Sequence, residues 1–159
     1  MNIRIICIGS LKEAYWKSAC EEYLSRIKPY ADIEVIECPD FPSKEGASLA
    51  QEEQVKEKEA ARVLKCLKPQ DYVIALDLNK KEYSSPEFAT HLEQCFVRGG
   101  SSITFLIGGS LGLADSLKQR ANESVTFGKM TFPHQLSRVM LLEQIYRAFR
   151  ILHHEPYHK

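Results

Sequence analysis

The sequence predicts a single α/β domain over residues 1–159, with a mostly parallel sheet flanked by helices. Three observations carry that prediction. Short apolar runs alternate with helix-period patterns along the whole chain, no internal repeat interrupts them, and Tyr72–Leu76 is a near-continuous apolar run, as in strands covered on both faces. At 159 residues, 44% hydrophobic and 26% charged, the chain is long enough to bury one substantial core.

Ile3 to Ile8 is a β-branched run closed by Gly9-Ser10, which fits a buried first strand. Leu11, Tyr15, Trp16, Ala19, Cys20, Tyr23, Leu24 and Ile27 then recur at three-and-four spacing, so an amphipathic helix follows until Pro29. Ile33, Val35 and Ile36 give a second strand, and CPDFPSKEG an irregular connection. A charged helix is predicted from Ala47 to Leu67. Its apolar contacts, Val55, Val63, Leu64 and Leu67, lie mainly in the second half, so its first half is expected to fray.

Pro69 precedes the strand Tyr72–Leu76, and Asp77 to Tyr83 read as a polar loop. Ser84 or Ser85 caps a helix with Pro86 in its first turn and a stripe of Phe88, Leu92, Cys95 and Phe96, closed by Gly99-Gly100. Ile103–Ile107 is the next buried strand, Asp115–Arg120 a short helix, Ser124–Phe127 another strand, and Pro133 to about Leu152 the last helix. That helix carries one stripe of Leu142, Ile145, Phe149 and Leu152, with Leu136, Val139, Met140 and Tyr146 placing apolar surface around the cylinder. One sheet cannot cover both sets, which predicts a two-fold homodimer interface on this helix.

In open α/β sheets the ligand crevice lies beyond the C-terminal strand ends. Leu76, Gly108 and Phe127 occupy such ends. The loop IGGSLG fits neither the dinucleotide nor the P-loop pattern, and by itself reads equally well as a tight turn. In FGKMTFPHQ, Gly128, Lys129, Thr131 and Pro133 combine backbone freedom, a charge, a hydroxyl and a preset helix entry, and Met130 with two phenylalanines can flank a flat ring. His134, Arg138, Arg147 and Arg150 are candidates for RNA phosphate contacts, against the commoner reading of solvated helix charges.

Lys plus Arg equals Asp plus Glu at 21 each, so bulk charge neither demands nor excludes a nucleic-acid partner. The five cysteines are scattered without a CxxC pair and read as reduced core thiols. No leader opens the chain and no run nears the roughly 18 apolar residues of a membrane span, so a cytoplasmic protein without a membrane partner is expected. His153, His154 and His158 invite a metal reading, but Pro156 breaks their alignment and no further ligand completes a set. No metal is expected there.

Taken together, IGGSLG, the block FGKMTFPHQLSRVMLLEQIYRAFRI and the terminal EPYHK closely resemble the RlmH family of ribosomal RNA large-subunit methyltransferases, within the SPOUT class. IGSLKEAYW, VKEKEAARVLKCLKP and VIALDL extend the resemblance over essentially the whole chain. The resemblance implies an S-adenosylmethionine-dependent enzyme that methylates N3 of a pseudouridine in helix 69 of 23S rRNA on the assembled ribosome. It also implies a homodimer and a C-terminal deep trefoil knot, which general topology rules alone would reject. The implied cofactor positions are Leu76, Gly108, Phe127, Gly128, Lys129, Met130, Thr131 and Phe132. With a methyl group already activated, the protein mainly aligns the target nitrogen, whose proton must leave. His158 is the candidate to take it, Tyr157 to stack on the base, and Arg138 to hold phosphate or the developing anion. The alternative function is a non-catalytic nucleotide-binding dimer with a regulatory or scaffolding role. A metal-dependent hydrolase using the histidines is a third reading.

Overall fold

The computed structural model describes residues 1–159, with every side chain except that of Asn79. Five strands, β1 (Asn2–Ile8), β2 (Asp32–Cys38), β3 (Val73–Lys81), β4 (Ser102–Ile107) and β5 (Glu123–Val125), form one sheet in the order β2-β1-β4-β3-β5. Every pairing is parallel, as the fully apolar runs require. Helices α1 (Ala14–Ile27), α2 (Leu49–Lys65), α3 (Ser85–Arg98), α4 (Asp115–Arg120) and α5 (His134–Leu152) cover both faces.

Strand alternation sorts the core into two layers. Ile3, Ile5, Cys7, Ile103 and Phe105 face α1, α3 and α5, meeting Cys20, Ile27, Leu92, Leu142 and Phe149. Ile6, Ile8, Ala75 and Leu106 face α2 and α4, meeting Ala60, Val63 and Leu117. The cysteines are all free thiols, four of them buried. Among the described residues, no helix is long and apolar enough to cross a membrane.

The structure departs from the sequence reading in four places. β3 continues past Leu76 to Lys81 instead of ending in a polar loop: after an irregular stretch Lys81 pairs with Val125, and the Thr126 N–H donates to the Lys81 carbonyl at 3.1 Å. Pairing there runs through the backbone, so it leaves no apolar pattern. β5 stops at Val125 rather than Phe127 because Thr126 Oγ1 turns back to accept the Gly128 N–H at 3.2 Å. α1 begins at Ala14, with the Leu11 N–H held by Glu37 Oε2 at 3.2 Å.

α2, expected to fray at its start, opens on a reciprocal cap. The Gln51 N–H donates to Ser48 Oγ at 3.2 Å, and the Ser48 N–H donates to Gln51 Oε1 at 2.9 Å. On α5, Leu142, Ile145 and Phe149 are buried beneath the sheet. Tyr146 is buried too, against Tyr30 and Tyr157, whereas Leu136, Val139 and Met140 stay half-buried.

Candidate active site

The chain leaves β3, β4 and β5 on one side of the sheet, and there a crevice of about 1210 Å³ opens. Its walls are Leu76 to Leu78, the loop Ile107–Leu113, residues from Val125 to Phe132, and the start of α5. The glycine loop is close-packed. A Cβ at Gly108 would lie 2.7 Å from the Gly112 carbonyl carbon and 2.9 Å from the Leu113 nitrogen, so only glycine lets these two backbone segments approach. Gly109 and Gly112 form an antiparallel bridge, with the Gly112 N–H donating to the Gly109 carbonyl at 3.0 Å.

Gly128 turns the second loop with φ +129°, a conformation L side chains rarely adopt. Thr126 Oγ1 fixes that turn by donating to the Gly128 carbonyl at 2.7 Å. Of the eight positions implied for the cofactor, Leu76, Gly108, Phe127, Met130, Thr131 and Phe132 line the crevice. Gly128 instead lines a neighbouring, mainly apolar cavity of about 470 Å³ bounded by α1, α3 and α5, to which Phe127 is the shared wall. Lys129 lies between them and lines neither.

Two residues that the sequence reading did not place here support the crevice. Glu59 of α2 is buried behind the glycine loop, its carboxylate against Gly109, and accepts the Phe41 N–H at 3.0 Å. Burial pushes its carboxyl up, with the Phe41 hydrogen bond opposing. The signal was present, since Glu59 falls four residues after Val55 and four before Val63, on the apolar face of α2. His134, the first residue of α5, borders the crevice with its ring against Gly9. Its Nδ1 is buried without a partner, and burial, then the Arg138 charge, lower its pKa.

Arg138 does not face solvent. Its side chain is 3% exposed and donates to Glu37 Oε2 at 2.9 Å and to the Gly9 carbonyl at 3.1 Å, tying α5 to the ends of β1 and β2. A phosphate contact by this guanidinium would require leaving both partners. The terminal residues are equally committed. The Tyr157 hydroxyl donates to Glu143 Oε1 at 3.0 Å, its ring meets Tyr146 edge-on at 4.8 Å, and Arg147 lies over it at 4.6 Å. Burial, then the Glu143 hydrogen bond, push the Tyr157 phenol up to about 12. His158 Nδ1 lies 3.3 Å from Arg147 Nη1, and Arg150 holds Glu155 at 2.5 Å. The tail therefore packs along α5. Neither Tyr157 nor His158 lines the crevice of its own chain.

The sheet order and the backbone-walled crevice define a parallel α/β protein with a site for a nucleotide-like ligand at its strand exits. Comparison narrows this. A family model described as "Predicted SPOUT methyltransferase" matches residues 1–158, and the chain belongs to that family. It is 52% identical, over all 159 residues and the full length of each relative, to proteins named "Ribosomal RNA large subunit methyltransferase H" from Clostridium botulinum (strain 657 / Type Ba4) and Clostridium acetobutylicum. A Clostridium perfringens (strain SM101) relative named "Ribosomal RNA large subunit methyltransferase H 1" is also 52% identical over the same span. In fold it is similar to a probable methylase family protein from Haemophilus influenzae, at TM-score 0.55 and 14% identity, covering 99% of this chain and 70% of that one. Membership implies that the C-terminal segment carrying the two loops is knotted, and that the methyl donor is S-adenosylmethionine.

Proposed function

We propose that this chain is an S-adenosylmethionine-dependent methyltransferase of large-subunit ribosomal RNA, acting on N3 of a pseudouridine in helix 69 of 23S rRNA in the assembled ribosome. The observation that carries the proposal is the crevice itself: β3 and the loops after β4 and β5 meet at Leu76, Gly108, Phe127 and Met130–Phe132 in a chain of this family. The names of relatives at 52% identity supply the class of RNA.

The residues present suit the donor. Main-chain groups of the Gly108 and Gly128 loops offer hydrogen bonds to an adenine edge, and Leu76, Phe127, Met130 and Phe132 offer apolar contact to its ring. When bound, S-adenosylmethionine supplies a methyl group already activated on sulfonium. The protein then has to hold the pseudouridine N3 in line with that group, exclude water, and accept the N3 proton. His158 is the proposed acceptor and Tyr157 the stacking platform. Arg138, by fastening α5 to Gly9 and Glu37, positions the helix start that borders the crevice.

The tail lies outside its own chain's crevice, and α5 leaves Leu136, Val139 and Met140 half-covered. Both features support a homodimer in which one subunit's tail completes the other's site. The chain's zero formal net charge favours recognition of a ribosome surface over tight binding to naked RNA. A cytoplasmic location follows from that substrate.

The test uses labelled S-adenosylmethionine with free 23S RNA, isolated subunits and intact ribosomes from cells lacking the modification. Label at one pseudouridine N3, on intact ribosomes only, is the expected result. Binding of the donor without transfer to any of the three favours the regulatory dimer instead.

A further inference from the structure

The described residues hold one group of converging donor atoms outside the crevice. His91 and Cys95 lie four residues apart on one face of α3, and Glu123 opens β5 beside them. Cys95 Sγ lies 3.4 Å from His91 Nε2 and 3.7 Å from Glu123 Oε1, and His91 Nε2 contacts Glu123 Oε1 directly. The methyltransferase reading uses none of the three.

We propose that His91 Nε2, Cys95 Sγ and Glu123 Oε1 form a binding site for a zinc-class divalent cation, with water as fourth ligand. Zinc bonds of about 2.0–2.3 Å in a tetrahedron place nitrogen, sulfur and oxygen donors roughly 3.3–3.7 Å apart, and both sulfur distances already meet that requirement. The His91–Glu123 pair opens when the ion enters between its atoms. The mixed N, S, O donor set favours zinc over the all-oxygen preference of calcium or magnesium.

The surroundings are those of ligands held in place. The Tyr72 hydroxyl donates to Glu123 Oε2 at 2.7 Å, which leaves Oε1 as the single coordinating oxygen. The Tyr83 ring stacks on His91 at 4.7 Å with an interplanar angle of 16°, fixing the plane of the imidazole. Such outer contacts orient metal ligands. Access is available, because the His91 and Glu123 side chains retain 12% and 19% exposure although Cys95 is fully buried.

Binding exchanges the Cys95 S–H bond for a sulfur–metal bond, and the thiol proton leaves to solvent. The hydrogen that His91 Nε2 shares with Glu123 Oε1 has to leave as well: it passes by way of solvent to Nδ1 of the same ring, so the imidazole coordinates uncharged through Nε2 and the Cys95 proton is the one released overall. A dication with one thiolate and one carboxylate is neutral overall, which suits a site with Arg98 at 3.9 Å from Glu123. The ion would pin a three-residue edge strand to α3, two residues before Val125 enters the crevice wall.

The test is a Co²⁺ titration of the chelator-stripped full chain in a phosphine reductant. One equivalent is expected to give a sulfur-to-cobalt charge-transfer band with tetrahedral visible bands, displaced by Zn²⁺. Cys95→Ser removes the charge-transfer band and Cys66→Ser keeps it. Tyr72→Phe weakens the affinity about tenfold. Should Cys95→Ser fail to fold, His91→Gln reports the same loss of tetrahedral cobalt. No charge-transfer band in the unaltered chain overturns the proposal, and so does a band unchanged in whichever of these two variants folds.

Discussion

Gly108→Ala tests the reading of the crevice most directly. The added Cβ would sit 2.7 Å from the Gly112 carbonyl carbon, 2.9 Å from the Leu113 nitrogen and 3.0 Å from the Gly112 oxygen. All three are backbone atoms, so relief requires the 108–113 loop to move rather than a side chain to rotate. Forcing a methyl group into a close-packed site costs about 1–3 kcal/mol. If the loop yields only when ligand is bound, that cost appears as a roughly 5- to 140-fold loss of S-adenosylmethionine affinity, at 1.4 kcal/mol per tenfold. If the free protein carries the strain, it appears as a fall in Tm of about 2–12 °C. Calorimetric titration and thermal melting, run together with Val97→Ala as a control at an exposed position of α3 outside the crevice, separate the two cases. An affinity within twofold of the unaltered chain together with an unchanged Tm would refute the tight-loop argument. Absence of donor binding by the unaltered chain would refute the ligand.

Deleting Tyr157 to Lys159 is expected to leave donor binding and dimerisation intact and to abolish methyl transfer to ribosomes; unchanged transfer removes the tail from the mechanism. Arg138→Met strands Glu37 and the Gly9 carbonyl and should lower unfolding free energy by about 2–4 kcal/mol in urea titration, with Glu37 partly rehydrated at 44% exposure. His134 supplies a pH test. Burial holds its folded pKa below the ordinary imidazole value of 6.5, so the unfolded chain binds more protons in the acid range, and stability falls as pH drops below that value. His134→Gln should flatten that part of a stability profile from about pH 7 to about pH 5, and an unchanged slope counts against the assignment.

What could be read from the sequence follows from which interactions leave a local pattern. Ile3–Ile8, Tyr72–Leu76 and Ile103–Ile107 announced themselves because both faces of each strand are covered, so nearly every side chain is apolar, Arg4 and Thr104 being the exceptions. Lys81 did not, since its pairing with Val125 engages only backbone while its side chain stays in water. Gly108 was legible as a strand exit because an apolar run ends there, whereas Leu76 and Phe127, read in the same way, are not exits: β3 runs on to Lys81 and β5 already stops at Val125. Arg138 was read as a contact for phosphate or the developing anion because its partner, Glu37, lies 101 positions away and no helical period encodes it. Pro156 was read only as breaking the alignment of the tail histidines, yet Tyr157 beyond it packs back onto Glu143 and Arg147. His91 and Cys95 stand at a helical spacing, but Glu123 lies 28 positions beyond Cys95, and only the placement of β5 beside α3 brings it to them.

The geometry of α5 bears on how a site in this chain can be complete. Ser137 is the last α5 residue on the crevice wall, and Tyr157 is held at Glu143, six residues further along. At 1.5 Å per residue that is about 9 Å along the helix axis, against the roughly 3–3.5 Å separation that reacting atoms need. On the proposed function, delivery of His158 to its own chain's methyl donor would require the tail to leave Glu143 and Arg147. The half-covered Val139–Met140 strip lines a cavity with Phe127, so a second copy packed there, as in the proposed homodimer, would bring a partner's tail to that cavity instead. Mixing tail-deleted chains with Gly108→Ala chains decides between the two routes. Trans complementation restores transfer in mixed dimers that keep one intact crevice facing one intact tail, whereas a tail acting within its own chain leaves the mixture no more active than the sum of its parts.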